Sequence, residues 1–201
     1  MRLLVACEYS GRVREAFRRR GHDAWSCDLL PAEDGSPYHV QGSVLDHALI
    51  GQGWDGLIAF PDCTYLTVSG ARWMSIPWRQ AAQRWALAFV EALWALPIKR
   101  KCIENPIGRL STLWRKPTQI VQPWQFWRLD EPGKGEVKAT CFWLDGFPKL
   151  VPTTPHETGR VPAVWLASPS PDRWKERSRT QPGIADAMGA QWGEQAQQEA
   201  A

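Results

Sequence analysis

The first 28 residues constrain the fold more than any other part of the chain. Leu3-Leu4-Val5-Ala6 is a continuous apolar run, the character of a strand buried on both faces, as strands of a parallel sheet are. Glu8-Tyr9-Ser10-Gly11 then turns the chain into residues 12–20, where Val13, Ala16 and Phe17 share one helical face. Ser10 is placed to cap that helix and Gly21 to stop it. A second strand over residues 23–27 finishes on Asp28. The order is strand, small-residue turn, helix, strand, acid. With 201 residues there is room for one well-buried domain, so the expectation is an α/β protein with a mostly parallel sheet and helices on both faces.

In open α/β sheets ligands bind at the carboxyl ends of the strands, and two further apolar runs end there on chemically useful residues. Leu57-Ile58-Ala59-Phe60 stops at Pro61-Asp62-Cys63, and Lys101-Cys102-Ile103 runs into Glu104-Asn105-Pro106. Cys63 is either a thiol nucleophile at the lip of a pocket or a free cysteine packed as a small hydrophobe. Glu104 is either its acid partner or a strand-end acid before a turn. At the first turn the backbone can approach a nucleoside and the helix start offers unpaired N–H groups, while Asp28 can accept ribose hydroxyls. Glu8 puts a negative charge where a pyrophosphate would sit, which favours a cofactor without phosphates. An ordinary strand-helix-strand unit that binds nothing is the competing reading. Ser43-Val44-Leu45-Asp46 reads as a third strand carrying Asp46 to the same edge for the base end of an adenosine; alternatively Asp46 caps a short helix.

Residues 31–42 read as a surface loop. Ser75-Ile76-Pro77 begins a long helix to about Leu96, with Pro77 near its first turn, where the missing N–H costs nothing. Its stripe of Ala81, Trp85, Ala88, Phe89, Ala92 and Leu93 is assigned to the core. From residue 108 to 155 turn residues alternate with aromatic patches, suggesting a few antiparallel strands or extended loops. The chain thus divides into a cofactor-binding and catalytic core (1–110), a small irregular or β flap over the site edge (111–181) and a C-terminal helix returning to the core (182–201), its last residues frayed. Thirteen tryptophans must line a core or a flat binding surface.

A net charge of +3 argues against a strongly basic nucleic-acid coat. Two local clusters can still meet phosphates: Arg12, Arg14, Arg18, Arg19 and Arg20, which also fit a solvated helix face, and Arg173, Lys175, Arg177 and Arg179. Five cysteines with no Cys-x-x-Cys pair argue against a disulfide framework or zinc site and for a reducing compartment. No run is apolar enough for a signal peptide or a membrane span. The expectation is a cytoplasmic chain with no metal and no membrane partner.

In order along the chain, these motifs resemble the cytosine-C5 DNA methyltransferases, in particular the short versions of phages and prophages. Ala6-Cys7-Glu8-Tyr9-Ser10-Gly11 is similar to the motif that wraps S-adenosylmethionine, Asp28 to the ribose acid, and Gly42-Ser43-Val44-Leu45-Asp46 to the adenine-side motif. Phe60-Pro61-Asp62-Cys63 resembles the Pro-Pro-Cys nucleophile loop, Glu104-Asn105-Pro106 the Glu-Asn-Val motif, and residues 183–188 the helix that completes the cofactor pocket. The resemblance implies a Rossmann-like S-adenosylmethionine-dependent methyltransferase with Cys63 and Glu104 catalytic. It implies cofactor contacts at Glu8, Tyr9, Ser10, Gly11, Asp28, Leu29, Asp46 and Pro61, and substrate contacts at Asn105, Pro106, Arg128, Arg177 and Arg179. Asp62 replaces the family's second proline, and a carboxylate beside Cys63 opposes its ionisation. The family's Gln-x-Arg-x-Arg segment has no clear counterpart after Glu104, and Arg128 or Arg179 are its candidate substitutes. There is also no separate recognition domain, which points to single-stranded DNA, loosely read duplex or a pyrimidine nucleotide as substrate. A homodimer or a separate recognition subunit fits equally. The alternatives are a catalytically weakened relative that binds cofactor or nucleic acid, and transfer of a different group to a pyrimidine C5.

Overall fold

The computed structural model describes residues 1–49, 51–127, 135–154, 160–162, 166, 170 and 173–198. The apolar run near the start is β1 (Arg2–Ala6), paired in parallel with β2 (Asp23–Asp28) on one side and β4 (Gly56–Ala59) on the other. β3 (His39–Gln41) extends the sheet beyond β2, and β5 (Arg100–Pro106) lies beyond β4. These five strands are parallel. β8 (Thr140–Asp145) runs antiparallel to β5 and carries β6 (Gln119–Val121) on its far side, giving the order β3-β2-β1-β4-β5-β8-β6. A separate parallel pair joins β7 (Gly135–Glu136) to β9 (Arg160–Val161).

Because alternate residues of a strand face opposite ways, the central strands feed two cores. Leu3, Val5, Ile58 and Cys102 face one side. There they meet Val13, Ala16 and Phe17 of α1 (Arg12–Arg18) and Ile184, Met188 and Trp192 of α6 (Pro182–Gln198). Leu4, Ala6, Leu57, Ala59 and Ile103 face the other side, against Val90 and Leu93 of α3 (Pro77–Ala95). The protein is therefore α/β, with a mostly parallel mixed sheet and helices on both faces. α1 and α6 touch almost backbone to backbone: a Cβ on Gly189 would lie 2.6 Å from the Ala16 carbonyl oxygen. Trp192 is fully buried, stacked on Phe147 at 4.6 Å, and its indole N–H donates to the Pro148 carbonyl at 2.9 Å, so burial leaves no donor unpaired. No helix among the described residues is long and apolar enough to cross a membrane.

Several local expectations are corrected. The predicted surface loop contains β3, and the predicted strand at Ser43 to Asp46 is instead the start of α2 (Val44–Leu49), with Asp46 exposed in its first turn. Gly42 N–H donates to the Asp28 carbonyl at 2.8 Å, so the chain leaves the sheet there. The expected flap is in part an extension of the main sheet, because β8 pairs with β5 and β6 pairs with β8. Ser10 does not cap α1; the carboxylate of Glu8 does, accepting from Val13 N at 2.6 Å and Arg14 N at 3.3 Å. α6 continues to Gln198 rather than fraying from residue 195, with Ala196 buried.

The first basic cluster is tied into the fold. Arg14 is wholly buried against Ser26 and Asp34, Arg12 donates to the Thr180 carbonyl at 2.7 Å, and Arg19 pairs with Asp186 at 2.8 Å. On α3 the apolar stripe exists but its orientation differs from the expectation. Leu93 is in the core and Phe89 half-buried, whereas Trp85 is 77% exposed and Ala88 is exposed.

Candidate active site

A cavity of about 590 Å³ opens at the carboxyl edge of the sheet. Its origin is a mismatch in strand length. β4 pairs with β5 only as far as Ala59 opposite Ile103, while Glu104, Asn105 and Pro106 continue β5 with β8 as partner. The side of β5 that β4 vacates is the cavity. Glu104-Asn105-Pro106 is thus the end of the strand itself and not the loop after it, because pairing with Phe142, Cys141 and Thr140 holds it extended.

The chain leaving β4 curls over that gap. Asp62 Oδ1 accepts from the backbone N–H of Thr64 at 3.0 Å and from its hydroxyl at 2.7 Å, and the Cys63 carbonyl accepts from Leu66 N and Thr67 N at 2.9 and 3.0 Å. Two links fix this turn to β5. The buried Asn105 amide donates to the Pro61 carbonyl at 2.9 Å, and Arg109 N donates to the Leu66 carbonyl at 2.6 Å where Thr67 bridges Gly108. The approach requires glycine: a Cβ at residue 108 would stand 2.2 Å from the Leu66 oxygen.

Cys63 and Glu104 line the same cavity, with Lys138 and Thr140 beside them. Burial raises the Cys63 thiol above its usual range; the Lys138 ammonium opposes this, and the charges of Glu104 and then Asp62 add to it. Burial likewise raises Glu104, against a hydrogen bond from the Thr140 hydroxyl and the charge of Lys138. Such a carboxyl holds its proton to higher pH than a free one. Lys138 is itself positioned: its ammonium donates to the Arg177 carbonyl at 3.1 Å, and its backbone N–H donates to the buried Glu136 carboxylate at 2.9 Å.

The opposite wall is α5 (Arg173–Ser178) and the residues after it. Arg177 and Arg179 both line the cavity, Arg179 paired with Glu33 and half-buried. Tyr9 anchors this wall, its hydroxyl donating to the Lys175 carbonyl at 2.8 Å and its ring 6.3 Å from Trp174.

The expected substrate residues Asn105, Pro106, Arg177 and Arg179 therefore converge with Cys63, Glu104 and Pro61 on one cavity, while Arg128 lies outside the described residues. Glu8, Tyr9, Ser10, Gly11, Asp28, Leu29 and Asp46 do not line it; Asp46 sits in the first turn of α2 and the others at the neighbouring strand ends. There Cys7 takes a left-handed conformation at φ 58° and Gly11 at φ 69°, with Cys7 N donating to the Cys27 carbonyl at 2.7 Å. Glu8 already occupies the first N–H groups of α1, so a phosphate has no place at that helix start. Burial raises the Asp28 carboxyl, one oxygen of which accepts from Leu30 N at 2.9 Å. Beside it Leu29 stands 75% exposed, an uncovered apolar side chain at the carboxyl end of β2. Those features fit a nucleoside that carries no phosphate.

Among the cavity residues that the sequence does not single out are Glu136, Lys138 and Thr140. Their signal is the alternation Glu-x-Lys-x-Thr ahead of the apolar run Cys141-Phe142-Trp143-Leu144, which places all three on one side of an extended chain. No protein-family model and no curated protein matches the chain.

Proposed function

We propose that the chain is an S-adenosylmethionine-dependent methyltransferase acting at C5 of cytosine, in DNA or in a cytosine nucleotide, through a covalent adduct on Cys63. The observation that carries this reading is a thiol and a buried carboxyl lining one cavity, the carboxyl raised by burial, with a lysine beside both. Addition of the Cys63 thiolate to C6 moves the C5–C6 π pair onto C5 and makes that carbon nucleophilic. The charge that builds on N3 is met by the proton of Glu104. The cofactor, when bound, supplies an electrophilic methyl. After transfer the C5 proton leaves to a base, its bonding pair reforms C5=C6, the C6–S bond breaks to return the Cys63 thiolate, and the N3 proton returns to Glu104.

In this reading Lys138 and Thr140 take the place of the arginines missing from the Gln-x-Arg-x-Arg segment. Lys138 favours the thiolate, and Thr140 fixes the Glu104 carboxyl. Glu8, Tyr9, Ser10, Gly11, Asp28, Leu29, Asp46 and Pro61 would hold the cofactor, Asp28 at the ribose and Leu29 against the base. Arg177 and Arg179 are the cations available to the target nucleotide's phosphate. The reversed strand between β5 and β6 departs from the all-parallel dinucleotide-binding order, which counts against a dinucleotide cofactor.

One observation favours a second reading, a relative that binds cofactor or nucleic acid without transfer: burial, Glu104 and Asp62 all disfavour the Cys63 thiolate, and Lys138 is the side-chain charge that opposes them. Trapping on 5-fluorocytosine separates the two. With cofactor present, the wild type should form a denaturation-resistant adduct with 5-fluorocytosine DNA or nucleotide, and Cys63→Ser should form none. Calorimetric cofactor binding with no adduct on any cytosine substrate would establish the binding module. Mass spectrometry of DNA nucleosides after expression identifies the group transferred.

A further inference from the structure

α3 has two apolar faces and buries one of them. Val90 and Leu93 enter the core. Close to the opposite side of the helix lie Trp78, Ala81, Trp85, Ala88, Ala92 and Ala95, whose positions advance in alternating steps of three and four. That is the spacing of a helix–helix seam, not of a solvated surface. Trp78 is 58% exposed, Trp85 77%, and Ala88 and Ala95 are also exposed.

We propose that this seam is a homodimer interface in which α3 pairs antiparallel with α3 of a second copy. The seam is self-complementary in shape, with its two tryptophans in the amino-terminal half and its exposed alanines, Ala88 and Ala95, in the carboxyl-terminal half. Setting Trp85 against the partner's Ala88 also sets Trp78 against the partner's Ala95 and Ala81 against the partner's Ala92, because all three pairs are centred between Ala86 and Leu87. Each large side chain then meets a small one, as close helix packing requires.

The charges match the same register. Arg84 and Glu91 flank the seam on one side, both exposed, and among the described residues neither enters a salt bridge. In the antiparallel pairing Arg84 falls beside the partner's Glu91, and Glu91 beside the partner's Arg84. A parallel pairing would instead stack tryptophan on tryptophan and set Arg84 beside the partner's Phe89. The pairing is independent of the chemistry at Cys63, yet it reaches toward it: Tyr65, two residues past the cysteine, packs edge-on to Trp78 at 6.2 Å, and its carbonyl accepts from the Gln83 amide at 2.8 Å.

Sedimentation equilibrium on the full chain tests this. The wild type should sediment at about twice its 22.8 kDa, with a Kd on the order of 10 µM. Arg84→Glu or Glu91→Arg alone should weaken association about tenfold or more, and the double swap should restore it to within about threefold. Trp85→Ala should give a monomer whose circular dichroism matches the wild type, since this side chain lies outside the core. A chain that stays monomeric at about 100 µM would overturn the proposal, as would a dimer indifferent to Trp85→Ala or a charge swap that fails to restore pairing. A monomer that instead binds single-stranded DNA through Trp78 and Trp85, measured by fluorescence quenching and lost in Trp85→Ala, would assign the face to nucleic acid and equally overturn it.

Discussion

At the level of single residues, Asp62 and Lys138 decide how reactive Cys63 is. Sequence reasoning singles out Asp62 because it adjoins the thiol, but the Asp62 carboxylate is engaged with Thr64 and raises Cys63 less than Glu104 does. Lys138, 75 positions away in the chain, works in the opposite direction. Lys138→Gln should therefore move the Cys63 thiol further up and slow its alkylation at pH 7 by about three- to tenfold, whereas Lys138→Arg keeps most of the rate. Asp62→Asn should shift it down by less than Lys138→Gln shifts it up. Iodoacetamide rates across pH, corrected with Cys63→Ser, measure all three. Glu104→Gln keeps the shape of the acid and removes its proton, so under the proposed chemistry 5-fluorocytosine adduct formation should fall by about 10²-fold or more. Cys63 and Glu104 are legible in the sequence because an apolar strand that stops on a polar residue announces itself locally. Lys138 is not, since its partnership with Cys63 comes from β8 folding back onto β5.

At the level of elements, the site is a consequence of strands of unequal length. β5 outlasts β4, and the turn carrying Cys63 fills part of the space left over. Gly108 is where the two meet, so Gly108→Ala must push the Leu66 carbonyl away. The cost should be about 1–3 kcal/mol in urea unfolding, with trapping reduced even where the variant is folded, because the Cys63 turn hangs from that contact. The strand-helix-strand unit at the start and the final helix are readable from periodicity. α3 exposes the limit of that method. Apolar spacing says that a face is covered, not what covers it, and this helix has two such faces. The partners of β8 were also beyond reach, because pairing Thr140–Asp145 with Arg100–Pro106 joins segments that no local pattern relates. β3, at three residues, is too short to show a period.

For the whole molecule, stability should depend on pH through Glu8. Burial raises this carboxyl from 4.5 to about 7 in spite of the N–H groups it caps. The folded state then holds a proton that the unfolded chain has released, so the contribution is fully present below about pH 4.5 and is lost as pH rises through about 7. Urea unfolding between pH 5 and 8 should show stability declining by at most about 1.4 kcal/mol per pH unit over that window, and Glu8→Gln should flatten the decline. The proximity of α1 and α6 has a consequence for synthesis. Val13, Ala16 and Phe17 leave the ribosome about 170 residues before Ile184, Met188 and Trp192, which cover them. A nascent chain must carry that apolar face uncovered over that interval, and a ribosome stalled before Pro182 would have made all seven strands of the main sheet while α1 stays exposed to whatever chaperone or neighbour reaches it first.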